Sequence, residues 1–216
     1  MKIKFFGEGP DDVGKHEVKN TPCTIQAILK NIIEKPLERA VNFEWMSNHI
    51  PRIHAGGFTK KVEIAMKKAV DRGYDAAIFI VDYGGKGGEK RIKAMKKGRE
   101  IGHKRGYYIP MILAVSRMEL EAWLLADENV RTNYFPRSVS QSFGKIEEEK
   151  NPKALFSSLY GENVIKEQFS EGELKLKIAS ESDVTTITKN CPKSFKPFVD
   201  EVREKLIPRF KERKEN

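Results

Sequence analysis

The chain has 216 residues, of which 39% are hydrophobic and 33% are charged. This composition fits one globular domain, alone or with an appended lobe, and excludes a disordered chain and a membrane span. Two distant cysteines, Cys23 and Cys191, exclude a disulfide framework or a zinc site of cysteine pairs and are expected to be buried. Since acids soon follow the short apolar stretch of the N-terminus, we expect no signal peptide and a cytoplasmic protein.

Forty lysines and arginines stand against thirty-one acids, which gives a net charge of +9. An excess of cations is typical of proteins with polyanionic partners, nucleic acid first. A need for solubility alone would also account for such a charge. The net charge therefore favours a polyanionic partner but does not establish one.

The first two-thirds of the sequence alternates predicted strands and helices. Strands are predicted at 2–6, 41–46, 76–81 and 111–115. The helices between them are predicted to run from a Thr21 cap to Pro36, from a Thr59 cap to Gly73, and from 89 to about 105, with a short helix at 119–125 after the last strand. This alternation predicts an α/β fold with a mostly parallel sheet, and the apolar run at 76–81 is typical of a central strand covered on both faces.

From about residue 130 the pattern changes to short amphipathic helices, prolines and an acidic run. The last helix has one apolar stripe, made by Phe195, Phe198, Val199, Val202 and Leu206. We therefore predict an α/β domain over 1–129 and a helical C-terminal lobe over 130–216 that packs on it.

Acidic residues follow three of the predicted strands. They are Glu8, Asp11 and Asp12 after the first, Asp82 after the third, and Glu119, Glu121 and the later Asp127 after the fourth. Ligands gather at the carboxyl ends of parallel strands, and grouped carboxylates repel one another unless a cation joins them. Hard oxygen ligands suit Mg²⁺ or Mn²⁺, which can polarise a phosphodiester and activate water. The sequence therefore predicts a divalent-metal site.

Other roles remain open for these acids. Glu8 also fits a solvated turn, and Asp11 and Asp12 fit helix caps. Glu119 and Glu121 point about 200° apart on a helix, so only one of the two can face a shared site.

Glycines and cations surround the acid at the end of the third strand. The run from 84 to 88 is not a Walker A loop, because Gly87 follows Lys86 where Ser or Thr is required. The helix that follows would set positive charge beside Asp82, where a phosphate backbone could lie, although a solvated outer face is the alternative. The predicted nucleic-acid contacts are Lys86, Lys90, Arg91, Lys93 and Lys97.

Three motifs resemble a known family. FFGEGPDD resembles the first motif of TOPRIM domains, with Glu8, Gly9 and Asp12 at its marked positions, and FIVDYGG resembles the second, with Asp82 kept and Gly84 in place of the second acid. SRMELEAWLLAD, at 116–127, resembles a signature of an uncharacterised bacterial family related to OLD-type (overcoming lysogenization defect) nucleases. The later segments PKALFSSLY and IASESDVTTITKNCPKSFKPF look like the C-terminal part of that family.

The resemblance implies a TOPRIM-like, Rossmann-like fold that uses Mg²⁺ or Mn²⁺ to cleave nucleic-acid phosphodiesters, DNA before RNA. It implies that Glu8 and Asp82 are catalytic, that Glu8 is the acid–base residue, and that the metal ligands come from Glu8, Asp12, Asp82, Glu119 and Glu121. Families of this kind act in bacterial phage defence, some beside an ATPase. Gly84 leaves open whether the site holds two metal ions, one or none.

Three functions therefore stand as hypotheses. The first is a metal-dependent nuclease. The second is a catalytically degenerate TOPRIM subunit that binds nucleic acid through residues 90–105 as the partner of an ATPase. The third is a phosphohydrolase or nucleotidyl transferase that acts on small nucleotides. Oligomeric state is left open.

Overall fold

The computed structural model describes residues 1–7, 13–15, 17–51, 56–82, 88–116, 120–136, 146–162 and 168–212, apart from the side chain of Asp82. Within these ranges the strands are β1 (Lys2–Gly7), β2 (Glu44–His49), β3 (Ala76–Asp82) and β4 (Met111–Ser116). They form one sheet in the order β2-β1-β3-β4, and every neighbouring pair is parallel. The predicted α/β class with a parallel sheet flanked by helices is confirmed.

Helices connect the strands and make up most of the chain beyond β4. The connecting helices are α1 (Thr24–Leu37), α2 (Gly57–Asp71) and α3 (Gly88–Lys104). After β4 come α4 (Glu121–Leu125), α5 (Glu128–Tyr134), a 3-10 turn (Ile146–Glu148), α6 (Pro152–Gly161), α7 (Glu171–Glu181), α8 (Val184–Asn190), α9 (Phe195–Lys205) and α10 (Ile207–Glu212). In the described part of the chain, none of the helices has the length and apolar character needed to cross a membrane.

Both faces of the sheet are buried, as the apolar run of β3 predicted. Successive side chains of a strand point to opposite faces, so Ile78 and Phe79 belong to different clusters. The first face is covered by α1 and the helices after β4, and the second by α2 and α3. The cluster on the first face continues from the strands through Trp123 and Tyr134 to Phe198 without a break, so the division into two domains after residue 129 stays a prediction.

The crossover helices change faces at the centre of the sheet. The connection from β1 to β2 uses α1 on the first face, and those from β2 to β3 and from β3 to β4 use α2 and α3 on the second. In doubly wound sheets a crevice opens at the carboxyl ends of the two strands where this reversal occurs. Here those strands are β1 and β3, which lie side by side.

Two predicted helix starts are wrong. The first helix has Cys23 as its N-cap and begins at Thr24, because Thr21 is held towards β2, where its carbonyl oxygen accepts a hydrogen bond of 2.9 Å from the Trp45 indole. The second is preceded by Gly56 in a left-handed conformation, with φ of 86°, so it begins before the predicted cap Thr59.

Two further predicted bounds are corrected. Pro36 was predicted to end α1, but it lies within the last turn, one residue before the helix ends. A proline at this position is tolerated because it interrupts fewer helical hydrogen bonds than one in the middle of a helix. The second strand begins at Glu44, because its parallel register with β1 pairs Glu44 with Lys2 and His49 with Gly7. By contrast, Gly73 does follow the end of α2 with a positive φ of 68°, as predicted.

Two glycines allow α3 to lie close against α2. A Cβ atom at Gly98 would lie 2.3 Å from the carbonyl oxygen of Thr59, and one at Gly102 would lie 2.5 Å from the sulfur of Met66. Glycines four residues apart face the same side of a helix, so this side of α3 is pressed against α2. The opposite side of α3 is left to solvent.

We expect Gly98→Ala to destabilise the protein by about 1–3 kcal/mol, because the added methyl group would collide with backbone that cannot move aside cheaply. This loss should outweigh the gain of up to about 1 kcal/mol that alanine brings to a helix. Urea denaturation measures the difference. The matched control is Gly161→Ala in α6, where a Cβ would meet nothing within 4 Å, and which should be neutral or stabilising. Equal stability of the two variants would contradict the close packing.

Side chains cover the outer edge of β4. The amide of Leu113 donates to Glu201 Oε2 at 3.1 Å, and the carbonyl oxygen of Met111 accepts from Arg99 at 3.0 Å. Arg99 and Glu201 also form an ion pair at 2.8 Å, which joins α3 to α9 across the strand edge. An edge strand covered in this way offers few open backbone groups for pairing with another chain.

A buried lysine lies in the middle of β1. Lys4 is fully buried on the second face, and its ammonium group has no hydrogen-bond partner among the described residues. The ammonium lies 5.1 Å from the centroid of the Tyr74 ring. Burial, followed by the charge of Arg72, lowers the pKa of Lys4 from 10.5 to about 8.

The pKa shift of Lys4 predicts a stability effect that depends on pH. Because the folded pKa is lower than the unfolded pKa, burying the charged amine costs stability in full below pH 8, and the cost disappears as pH rises towards 10.5. Lys4→Met should therefore stabilise the protein by about 3 kcal/mol at pH 7 and by less than about 1 kcal/mol at pH 10. Urea midpoints at the two pH values test this. Exposed Lys2→Met is the control, and a gain that did not change with pH would contradict the assignment.

Candidate functional site

The crevice predicted by the strand order lies where β1 and β3 end. Gly7 ends β1, and Val13 packs over it so closely that a Cβ at Gly7 would lie 2.5 Å from Val13 Cγ1. The residues on either side of 8–12 are thus held together at the carboxyl end of β1. Asp82 ends the neighbouring strand β3. The acids Glu8, Asp11 and Asp12 themselves lie outside the described residues.

A buried hydroxyl group lies at the same edge. Ser116 is the register partner of Asp82 at the end of β4, and it is fully buried. Its Oγ has no hydrogen-bond partner among the described residues. Leaving a buried hydroxyl unpaired costs about 1–3 kcal/mol, so we expect its partner to come from a group beyond the described ranges, or from a bound water or ion. The sequence offered no signal for Ser116 other than its position at a strand end.

The described residues do not assemble a metal site by themselves. No group of three His, Cys, Asp or Glu side chains that could hold a metal ion occurs within the described ranges. Of the predicted ligands, Glu8, Asp12 and Glu119 fall outside these ranges, and Asp82 is described by its main chain only. Carboxylates fit the chemistry of Mg²⁺ or Mn²⁺, and the metal site stays a prediction because most of its carboxylates lie outside the described residues.

Glu121 is the one predicted ligand whose side chain is described, and it forms an ion pair. Its Oε1 lies 2.8 Å from Lys175 Nζ, and both side chains are less than a tenth exposed. Glu171 is a second partner of Lys175 at 3.0 Å, and the ammonium lies 5.4 Å from the centroid of the Phe156 ring. Burial lowers the pKa of Lys175, but hydrogen bonds and the charges of Glu121 and Glu171 outweigh it, so the pKa is raised.

This ion pair helps to decide whether Glu119 or Glu121 is the better candidate for a metal ligand. Since a lysine already neutralises the carboxylate of Glu121, the geometry supports a structural role in the helical part of the chain. Its role as a metal ligand stays a prediction without support from these contacts. Glu119, which falls outside the described residues, is the remaining candidate after β4.

Two other buried acids support the packing of helices. Asp127 accepts hydrogen bonds from the amides of Asn129 and Val130 at the start of α5, and from the amide of Asp183 at 2.7 Å. These bonds make Asp127 the N-cap of α5, whereas its position in the sequence suggested a turn residue at a helix C-terminus or a metal ligand. Sequence reasoning missed Glu147, which accepts from the amide of Ser194 at 2.6 Å and from its hydroxyl at 2.7 Å.

The same network joins the segments that resemble one family. Ser194 Oγ accepts a hydrogen bond of 3.0 Å from the indole of Trp123, and the ring of Trp123 stacks on Phe198 with centroids 5.6 Å apart. Trp123 belongs to SRMELEAWLLAD, whereas Ser194 and Phe198 belong to KSFKPF. Packing between these two segments joins residues 71 positions apart in the chain.

An unpaired row of lysines covers the outer side of α3. We call Lys90, Lys93, Lys97 and Lys104 the lysine stripe. These residues lie within about 60° of one another around a helix, and all four are exposed. None of them has an acidic partner among the described residues. A row of cations without counterions is typical of a surface that binds a phosphate backbone.

Two other predicted nucleic-acid contacts differ from the lysine stripe. The guanidinium of Arg91 is half-buried and lies 5.6 Å from the centroid of the Phe58 ring, so it packs against α2. Lys86 lies outside the described residues.

The Glu121–Lys175 pair predicts a large effect of removing one partner. Lys175→Met should leave the Glu121 carboxylate buried without a counterion and cost about 3–5 kcal/mol of unfolding free energy. The double variant Glu121→Leu with Lys175→Met should recover most of that loss. As a control, Lys177→Met on the same helix removes an exposed pair and should cost less than about 1 kcal/mol. Failure of the double variant to recover stability would contradict a structural role for the pair.

Comparisons with known proteins do not assign the chain to a family. No family model matches it, and no curated protein matches it. Among solved structures, the chain is similar to a mutant creatininase in which a tryptophan is replaced by phenylalanine, with 11% identity and a TM-score of 0.36. It is also similar to a second such mutant, of a creatininase described as Type II, with 12% identity and a TM-score of 0.35. Each match covers 88% of this chain and 91% of the other. Similarity at this level supports no inference about activity.

Proposed function

We propose that the protein is a metal-dependent nuclease that cleaves phosphodiester bonds of nucleic acids, DNA before RNA, in the bacterial cytoplasm as part of phage defence. The observation that supports this most is the strand order. The crossovers reverse between β1 and β3. In the sequence Glu8 comes directly after β1 and Asp82 ends β3, so both acids would lie at the crevice. These acids stand at marked positions of the two TOPRIM motifs that the sequence resembles.

Each residue of the site would have a separate task. Glu8 would move a proton to or from the oxygen atoms of the scissile phosphodiester, since a carboxylate can act as general acid and base. Asp12, Asp82 and Glu119 would hold Mg²⁺ or Mn²⁺, which supplies positive charge to the phosphate and lowers the pKa of a bound water. The hydroxyl of Ser116 would donate to one of these carboxylates.

The lysine stripe supports a polymeric substrate. Helix α3 begins six residues after Asp82, so its first lysine, Lys90, lies near the carboxyl edge, and the stripe extends away from it for the length of the helix. A mononucleotide would contact only one end of such a row, whereas a strand can follow all of it. Each phosphate that a lysine neutralises releases counterions, so binding should weaken steeply with salt.

A second candidate is a catalytically degenerate subunit that binds nucleic acid beside an ATPase without cutting it. Two observations favour it. Gly84 stands where the second acid of the TOPRIM motif is expected, and the carboxylate of Glu121 is paired with Lys175. Both reduce the number of carboxylates left for a metal.

The test of the nuclease is cleavage of plasmid, single-stranded DNA and RNA with Mg²⁺, with Mn²⁺ and with chelator. Glu8→Gln and Asp82→Asn should each lower the cleavage rate at least about a hundredfold, because each removes a group needed in the transition state. The matched control is Glu204→Gln, which changes an exposed glutamate on α9 and should cleave normally.

Each other outcome selects a different function. Full cleavage by both variants would place the activity elsewhere. Salt-sensitive binding by the wild type without cleavage under any metal condition would select the binding subunit. Turnover of nucleoside triphosphates with no effect on polynucleotides would select an enzyme of small nucleotides.

A further inference from the structure

A cavity of 320 Å³ lies beside β4, between α3 and α9. Its walls are aliphatic and are formed by Ile92, Met95, Leu113, Val115 and Pro197. The cavity exists because α9 covers the edge of β4 while α3 covers its face, and Val115 near the carboxyl end of the strand is left only half-buried between them. Its size falls in the range of small-ligand sites, about 300–1,000 Å³.

The polar groups of the cavity have a definite charge pattern. Lys96 and Lys193 line it and are both exposed. Lys96 has no acidic partner among the described residues, whereas Lys193 forms an exposed ion pair with Glu148 at 3.3 Å, which a phosphate could replace. The acid in the lining, Glu201, is already engaged by Arg99 and by the amide of Leu113. The cavity thus offers an apolar interior with cations at its rim, which suits an apolar body that is joined to an anion.

The cavity is also continuous with the lysine stripe. Lys96 lies one helical turn beyond Lys93 and next to Lys97. One side of α3 therefore carries the stripe, and the adjoining side lines the cavity. A strand bound along the stripe would therefore pass the cavity mouth. The stripe begins with Lys90 near the carboxyl edge of the sheet, and the cavity reaches Val115, one residue before the end of β4.

We propose that this cavity, the base pocket, receives a single nucleobase that has left the stack of the bound strand, with Lys96 and Lys193 contacting the flanking phosphates. The inference rests on the proposed function and narrows its substrate to single-stranded or locally unpaired nucleic acid. Withdrawing a base from a duplex costs a few kcal/mol, whereas an unpaired base enters at little cost.

The test measures binding in the presence of chelator, so that it does not depend on cleavage. Fluorescence anisotropy compares a short single strand with an abasic strand of the same length and charge. The base pocket predicts that the strand with bases binds about ten-fold more tightly, because a base that enters the cavity buries apolar surface that an abasic site lacks. Equal affinity for the two strands would overturn the base pocket and leave nucleic-acid binding intact. Absence of binding to both strands would overturn the proposed function as well.

Variants locate the effect. Val115→Phe fills the cavity and should bring the affinity ratio of the two strands close to one while the abasic strand binds as before. The control Lys104→Gln removes a charge at the far end of the lysine stripe and should weaken both strands equally, with the ratio unchanged. A ratio that survives in Val115→Phe would overturn the base pocket.

A second measurement needs no variant. A strand that contains one 2-aminopurine should become several-fold more fluorescent when it binds the wild type, because the base leaves its stacked neighbours for aliphatic walls that do not quench it. If emission stays constant on saturation for every position of the 2-aminopurine, no base is withdrawn from the stack and the inference is wrong.

Discussion

A parallel sheet has to be covered on both faces, and this constraint organises the whole molecule. Parallel strands need helical crossovers, and here α1 covers the first face near β1 and β2, whereas α2 and α3 cover the second. The part of the first face near β4 needs other partners, and Trp123 and Phe198 from the later helices supply them. The C-terminal helices thus complete the core of the sheet, which is why one buried cluster runs through them.

The packing of the helices on the sheet also decides which acidic side chains are left without protein partners and could bind a metal ion. Buried acids in the helical part of the chain already have partners: Glu121 pairs with Lys175, Glu147 accepts from Ser194, and Asp127 caps a helix. A carboxylate whose oxygen atoms already accept from protein donors has fewer lone pairs left for a metal ion. The doubly wound sheet opens its crevice between the ends of β1 and β3, and in the sequence Glu8 comes directly after the first of these strands while Asp82 ends the second.

The packing of α3 against α2 determines which of its side chains face the solvent. Because Gly98 and Gly102 press one side of the helix against α2, the opposite side carries Lys93 and Lys97 outward, away from acidic partners in the described part of the chain. The gap that remains between α3 and α9 is the base pocket. Crevice, lysine stripe and base pocket are therefore consequences of how the helices cover one sheet.

The sequence by itself determined the class of fold, the central strand, the basic helix and the apolar stripe of the last long helix, because periodic hydrophobicity reports directly which positions are buried. It also located the acids after β1 and β3, since strand ends can be recognised locally. Helix starts at Thr21 and Thr59 were predicted wrongly because threonine serves turns and strand contacts as well as caps. Only the tertiary structure decided that Glu121 pairs with a lysine 54 residues away and that Lys4 is buried. Pairing and burial of charged side chains depend on residues that are distant in the chain. The sequence around a charged residue does not show which distant residues will lie next to it.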